Sequence, residues 1–132
     1  MALFNAKFAY SGESDGVLMA GLADDRHDSV NYLLFQKTIN PGAQDIEQGH
    51  DQVHVTLNGG SSSCYGGIER VSLASNGLEV RVDSDTAEAM GTTQCLVVSF
   101  EHHLDGLGEL SVMLEKIFDL LFDKRDMFIH AN

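Results

Sequence analysis

Basic residues are scarce in this chain: eight lysines and arginines stand against twenty acids, leaving a net charge of −12 over 132 residues. An excess of that size repels phosphate backbones and anionic headgroups, which disfavours nucleic acid and membrane surfaces as partners. Proline occurs once, at Pro41, inside the turn signal Asn40-Pro41-Gly42. The two cysteines, Cys64 and Cys95, have no Cys-x-x-Cys spacing, so neither a zinc ribbon nor a dithiol redox motif is present. Both are expected as free thiols, with one disulfide as the alternative. No apolar run is long enough to span a bilayer, since the richest, from Leu110 to Phe122, is broken by Glu115, Lys116 and Asp119. The opening residues carry no basic patch followed by an apolar stretch, so no secretory signal is expected and the cytoplasm is the expected address. Internal repeats and low-complexity tracts are also absent.

What remains is an ordinary globular composition, 43% hydrophobic and 21% charged. A chain of this length buries roughly two thirds of its unfolded surface, so one domain spanning residues 1–132 is expected to fold without staples. Phe4, Ala6, Phe8 and Tyr10 alternate with Asn5 and Lys7 in the period of a half-buried strand, and the stretch from Gly12 to Gly16 breaks that pattern. Val17 to Ala23 and Val30 to Lys37 read as a hairpin whose tip is sharply acidic. After Pro41 an acid-rich connector, Gln44 to Asp51, leads into a strand from Gln52 to Leu57. Asn58 to Ser63 is too rich in Gly and Ser for regular structure, and the following Tyr65-Gly66-Gly67 marks a turn or bulge.

Ile68 to Leu73 and Leu78 to Asp83 flank Asn76-Gly77, a hairpin signal in which both turn positions must tolerate positive φ. Asp85-Thr86-Ala87-Glu88 has the spacing of an acidic capping box, with Gly91 as the stop, so a short helix is expected between them. Thr93 to Glu101 reads as a central strand buried on both faces or nearly so. Asp105 is placed to cap a final helix in which Leu107, Leu110, Leu114, Ile117, Phe118 and Leu121 form one apolar stripe. Strands and helices do not alternate. The expected class is α+β: an antiparallel sheet covered by a long C-terminal helix, with one short helix before the last strand.

Residues that could carry chemistry point mostly to simpler roles. His50-Asp51-Gln52-Val53-His54 has the spacing of a zincin motif, but on a strand residues four apart lie roughly 13 Å from one another, too far to share a metal ion. His102 and His103 are adjacent at a strand end and point to opposite faces. Cys64 would need a base such as His50 or His54 folded beside it, which the sequence does not place, and Ser61 to Ser63 lack the elbow of a serine hydrolase. No catalytic residue, metal site or cofactor is therefore expected. A small metal- or thiol-dependent enzyme is the alternative, and a subunit that self-associates as a homodimer through a sheet edge is a third reading.

The run Cys64-Tyr65-Gly66-Gly67-Ile68-Glu69-Arg70-Val71, the strand-turn-strand through Asn76-Gly77-Leu78-Glu79-Val80, the helix Ala87-Glu88-Ala89-Met90-Gly91 and the earlier Tyr32-Leu33-Leu34-Phe35-Gln36-Lys37 together resemble the immunity protein 10 family of bacterial polymorphic toxin systems. Val97 to Glu101 and the helix carrying Leu114, Ile117 and Phe118 close the match. The resemblance implies a cytoplasmic, non-catalytic protein that binds a cognate toxin domain and prevents self-poisoning. A basic toxin would fit the acidic composition. On charge and loop position, the expected contacts are Asp24, Asp25 and Asp28 of the hairpin tip, Asp45, Glu47 and Asp51 of the connector, and Tyr65 as an aromatic anchor.

Overall fold

The computed structural model describes residues 3–25, 31–39, 42, 53–57, 62–101 and 103–125. Within them the strands are β1 (Phe4–Ala6), β2 (Phe8–Ser14), β3 (Val17–Ala23), β4 (Tyr32–Thr38), β5 (His54–Leu57), β6 (Ser62–Tyr65), β7 (Ile68–Ala74), β8 (Gly77–Val82), β9 (Cys95–Phe100) and β10 (Phe122–Lys124). Helix α1 is Ser84–Met90 and helix α2 is Leu107–Phe118, with a 3-10 turn at Asp119–Leu121. The class is α+β, as the sequence predicts. The expected sheet is two sheets of five strands, ordered β1-β9-β8-β7-β10 and β2-β3-β4-β5-β6. The second is a wholly antiparallel meander. The first has an antiparallel centre and parallel edges, because β1 runs with β9 and β10 runs with β7.

The change of sheet is made at Lys7. Phe4 and Ala6 are buried, but beyond Lys7 it is Ala9 that is buried while Tyr10 is exposed. The alternation therefore slips by one residue where the chain passes from the first sheet to the second, and the single strand expected from Phe4 to Tyr10 becomes two. Lys7 bridges the step by donating its backbone N–H to the Ala23 carbonyl at 2.8 Å.

Turn chemistry explains the other differences. Asp15 and Gly16 have φ of 52° and 75° and form a two-residue hairpin loop between the paired residues Ser14 and Val17, the mirror-image turn that suits strand twist. β2 thus runs through Gly12 to Ser14, where a break was expected. The β7–β8 hairpin forms as expected, but its turn residues are Ser75 and Asn76, since Gly77 already pairs with Ala74 and neither Asn76 nor Gly77 has positive φ. Ser62 and Ser63, expected as irregular, belong to β6 and pair with Leu57 and Thr56.

The helix caps also sit elsewhere than expected. The N-cap of α1 is Asp83, two residues before Asp85, and its carboxylate accepts the Thr86 N–H at 2.7 Å. Gly91 closes α1 in a left-handed conformation, as predicted. The cap of α2 is Gly106, with no side-chain bond, in place of Asp105.

One apolar cluster joins the inward faces of both sheets to Leu110, Leu114, Ile117 and Phe118 of α2. β9 lies inside its sheet but buries one face only: Leu96, Val98 and Phe100 are in the cluster, whereas Cys95, Val97 and Ser99 are half-covered. The Lys37 ammonium donates to the Ile117 carbonyl at 3.3 Å, placing a cation at the C-terminal end of α2, where the helix dipole favours one.

Two carboxylates tie the fold to pH. Burial would raise the Asp123 pKa, but hydrogen bonds from Ser72 and Arg70 and the charges of Arg70 and Arg125 outweigh it and hold the group low. Asp83 is held low by its bonds to Thr86. A depressed folded pKa gives stability that is present above the unfolded value near 4 and is lost as pH falls through the folded value. Thermal stability should therefore fall as pH drops below about 4. Asp123→Asn should flatten that limb, and an unchanged slope would show that the carboxylate does not contribute.

Candidate partner-binding face

Cross-strand partners point to the same face of a sheet, so the registers of the second sheet sort its side chains into two faces. Inward point Val55, Phe35 and Ala20 in one row and Leu57, Leu33, Leu22 and Ala9 in another, all buried. Outward lie Tyr65, His54, Gln36, Met19 and Gly12 in one row, then Ser63, Thr56, Leu34, Gly21 and Tyr10, then Tyr32, Ala23 and Phe8. All three tyrosines of the chain are on this outward face. The rings of His54 and Tyr65 lie 4.6 Å apart, and His54 Nδ1 is 3.4 Å from Gln36 Oε1, so the row from Tyr65 to Gln36 is a continuous ladder of side chains.

The outward face of the first sheet is different in kind. Arg70 pairs with Asp123, Arg125 Nε lies 3.7 Å from the same carboxylate, Arg81 lies 4.0 Å from Glu79, and Ser99 donates to Asn5 at 3.2 Å. That face is charged and internally paired. The tyrosine face carries no lysine or arginine among the described residues, since the lysine of β4, Lys37, points inward toward α2.

Three of the residues expected to make contact can be placed. Asp24 closes the base of the β3–β4 hairpin: its carboxylate accepts from the backbone and side-chain amides of Asn31 at 3.2 and 3.0 Å, and its own N–H donates to the Asn31 carbonyl. Asp25 is exposed and lines a groove of about 420 Å³ together with Phe8, Tyr10, Met19, Gly21, Tyr32 and Leu34. Tyr65 is 43% exposed on the edge strand β6. Strand spacing puts it about 25 Å from Asp25, at the opposite corner of the same face. Asp28, Asp45, Glu47 and Asp51 lie outside the described residues.

The sequence reading missed Tyr10, Tyr32, Phe8 and Leu34. For Phe8 and Tyr10 the signal depends on the slip at Lys7, because an unbroken alternation assigns both to the core.

The residues considered for chemistry are not brought together. His54 and Cys64 sit on neighbouring strands but in adjacent register rows, so His54 faces outward while Cys64 faces the core beside Val55. Cys95 is on the other sheet, and burial first, then the charge of Glu79, push its thiol pKa up, away from the thiolate a nucleophile requires. Both cysteines are free. His50 and His102 lie outside the described residues. No helix of the described residues is long and apolar enough to cross a membrane.

A family model described as Immunity protein 10 matches residues 5–107. That span contains the whole meander, the tyrosine face and helix α1. No curated protein and no solved structure matches the chain.

Proposed function

The chain belongs to the immunity protein 10 family, and from that premise we propose that it is a cytoplasmic, single-domain inhibitor that neutralises a cognate toxin by binding it, without catalysis. The partner is a basic toxin domain, and the acidic exterior of the inhibitor draws it in. The observation that carries this reading is the separation of the two outer faces. Arg70, Arg81 and Arg125 lie beside carboxylates on the first sheet, whereas the second sheet presents exposed aromatic surface with Asp25 at its margin. Aromatic side chains in a water-excluding patch are what supplies binding energy at protein interfaces, and surrounding charge sets the encounter rate. The wider set of contacts is Asp24, Asp25 and Tyr65, together with Asp28, Asp45, Glu47 and Asp51 of the hairpin tip and connector.

Co-expression with the product of the adjacent upstream gene tests this directly. A complex should be recovered at low salt, and its association rate should fall at least about tenfold between 50 and 500 mM salt while the dissociation rate changes little. Stopped-flow mixing or surface plasmon resonance reads both rates. Failure to retain any partner at low salt, with light scattering showing a stable homodimer, would favour self-association through a sheet edge.

A further inference from the structure

Sheet edges are where unpaired backbone groups remain, and the four edges of this fold are not alike. β1 and β10 have three residues each, and β6 has four and packs against α1. β2 runs for seven residues, pairs with β3 without a bulge and contains no proline. Bonds at both ends of β3 fix which groups of β2 are left over. Ile39 donates to the Gly16 carbonyl and Asp24 to the Asn31 carbonyl, so Leu18, Ala20 and Leu22 turn their backbone groups to β4, while Val17, Met19, Gly21 and Ala23 turn theirs to β2. Their partners Ser14, Gly12, Tyr10 and Phe8 are thereby engaged, and Ala9, Ser11 and Glu13 direct N–H and C=O groups away from the sheet. Gly106 closes over the Ala9 carbonyl, which lies 3.4 Å from where a Cβ would stand. The backbones of Ser11 and Glu13 have no hydrogen-bond partner among the described residues.

Beside this edge is a crevice of about 410 Å³, lined by Ser11 and Gly12 of β2 and by Gly108, Glu109, Val112 and Met113 of α2. The inward row Val55, Phe35, Ala20 ends there on the small Ser11, which covers little of the helix. Met113 is left half-buried and Val112 58% exposed, and Gly108 adds no side chain. The crevice is the place that the next side chain of that row would take if the sheet had a sixth strand.

We propose that the β2 edge receives an extended segment of the toxin as an antiparallel sixth strand, with an apolar side chain opposite Ser11 in the crevice and a lysine or arginine opposite Glu13. The proposal rests on the immunity reading above and names the mode of contact. Only an extended chain presents N–H and C=O groups at the strand repeat, whereas a helix filling the crevice would leave those of Ser11 and Glu13 unmet. Glu13 stands two residues from Ser11 and so on the same side of the strand. Neither Glu13 nor Glu109 is ion-paired among the described residues. A charge facing that side of an edge discourages indiscriminate pairing, and a cross-strand cation answers it. A second copy of this chain brings none, because β2 contains no lysine or arginine and each copy carries a net charge of −12.

The probe is the blocked pentapeptide Thr-Lys-Thr-Leu-Thr, whose lysine and leucine share one face when extended. It is compared with its glutamate-for-lysine analogue and with a form N-methylated at leucine, which cannot donate to the Ser11 carbonyl. Amide chemical shifts and hydrogen exchange of the full chain are the readouts. In the free chain the Ser11 and Glu13 amides should exchange freely while those of Tyr10 and Gly12 are protected. The parent peptide should shift and protect Ser11 and Glu13 saturably with Kd of order 1–10 mM, and each analogue should bind at least about fivefold more weakly. Ser11→Pro removes an N–H that points away from β3, which an edge strand tolerates, and should weaken the parent peptide at least about fivefold. Val112→Asp, at an exposed helix position, should weaken it by a similar factor and decides the matter if circular dichroism shows Ser11→Pro misfolded. Equal binding of the N-methylated peptide, no saturation by about 50 mM, or undiminished binding by Val112→Asp would overturn the proposal. Protection of Ser11 and Glu13 that grows with the concentration of the chain alone would overturn it too, marking a second copy as the occupant. Capture of the co-expressed toxin separates the two levels. Undiminished capture by Val112→Asp sinks the sixth strand and leaves the immunity reading standing, whereas absence of capture by the unmodified chain sinks the immunity reading itself, whatever the peptide does.

Discussion

Phe35→Ala should cost about 3–5 kcal/mol of folding stability, the largest loss expected from any single substitution in the second sheet. Phe35 is fully buried at the middle of the inward row between Val55 and Ala20. Its ring meets that of Phe118 edge-on, with centroids 5.0 Å apart and planes at 89°. The side chain therefore fills space between the meander and the C-terminal end of α2, and it adds an aromatic contact worth about 1 kcal/mol beyond its area. Neither neighbour is placed to close the cavity, since Phe118 is fixed by the helix and Ala20 is too short. A domain of this size has roughly 5–15 kcal/mol in total, so the variant should be largely or partly unfolded at 37 °C. Urea denaturation measures the loss as a lower midpoint at unchanged slope. Phe35→Leu, which keeps most of the apolar volume, should lose distinctly less. If the two variants were equally destabilised, the edge-on contact would outweigh the filled volume.

The second large effect is expected at Gly67, where β6 passes into β7. Its φ is +79°, and a Cβ there would fall 2.9 Å from Thr86 Cβ and closer still to Thr86 Oγ1. Gly67→Ala therefore combines a left-handed backbone for a residue that resists it, about 1–2 kcal/mol, with a steric overlap costing roughly 1–3 kcal/mol more. The overlap acts on a junction that carries structure. Thr86 is the residue whose N–H is accepted by Asp83, and the Asp83 N–H donates to the Gly67 carbonyl at 2.9 Å. Displacing Thr86 thus loosens the start of α1 and its seat against β6 together. Gly91→Ala is the control, because Gly91 has φ +68° but nothing within 4 Å of its Cβ position. Thermal denaturation should show Gly67→Ala as clearly the worse of the two. The double variant Gly67→Ala/Thr86→Ala should recover part of the difference. Equal losses at both glycines would mean that backbone strain alone is at work.

These sites also show how far the sequence could be read. The hairpins were visible because turn residues and β-branched runs are local signals, and the stripe of α2 was visible because Leu110, Leu114, Ile117 and Phe118 repeat at the helical period. Caps were misplaced by one or two residues where several acids compete: Asp83 and Asp85 offer the same carboxylate, and only the path of the chain past Gly67 decides between them. The step at Lys7 was not legible at all. Phe8 and Tyr10 continue the apolar spacing of Phe4 and Ala6, and what turns them outward is the tertiary decision to leave one sheet for another. Because that step hides the outward turn of Phe8 and Tyr10, the candidate site is legible in the sequence only through its charges and Tyr65. The same non-locality hid the second sheet, whose separation from the first depends on which strands find each other rather than on any one strand's composition.

The first and last described strands, β1 and β10, are the opposite edges of one sheet, each laid parallel to its neighbour. Each is only three residues long. Opening of those short edges would therefore narrow that sheet from both margins, while the meander is held by four consecutive antiparallel pairings of its own. The proposed partner surface is thus carried by the other sheet, to which neither of these edge strands belongs.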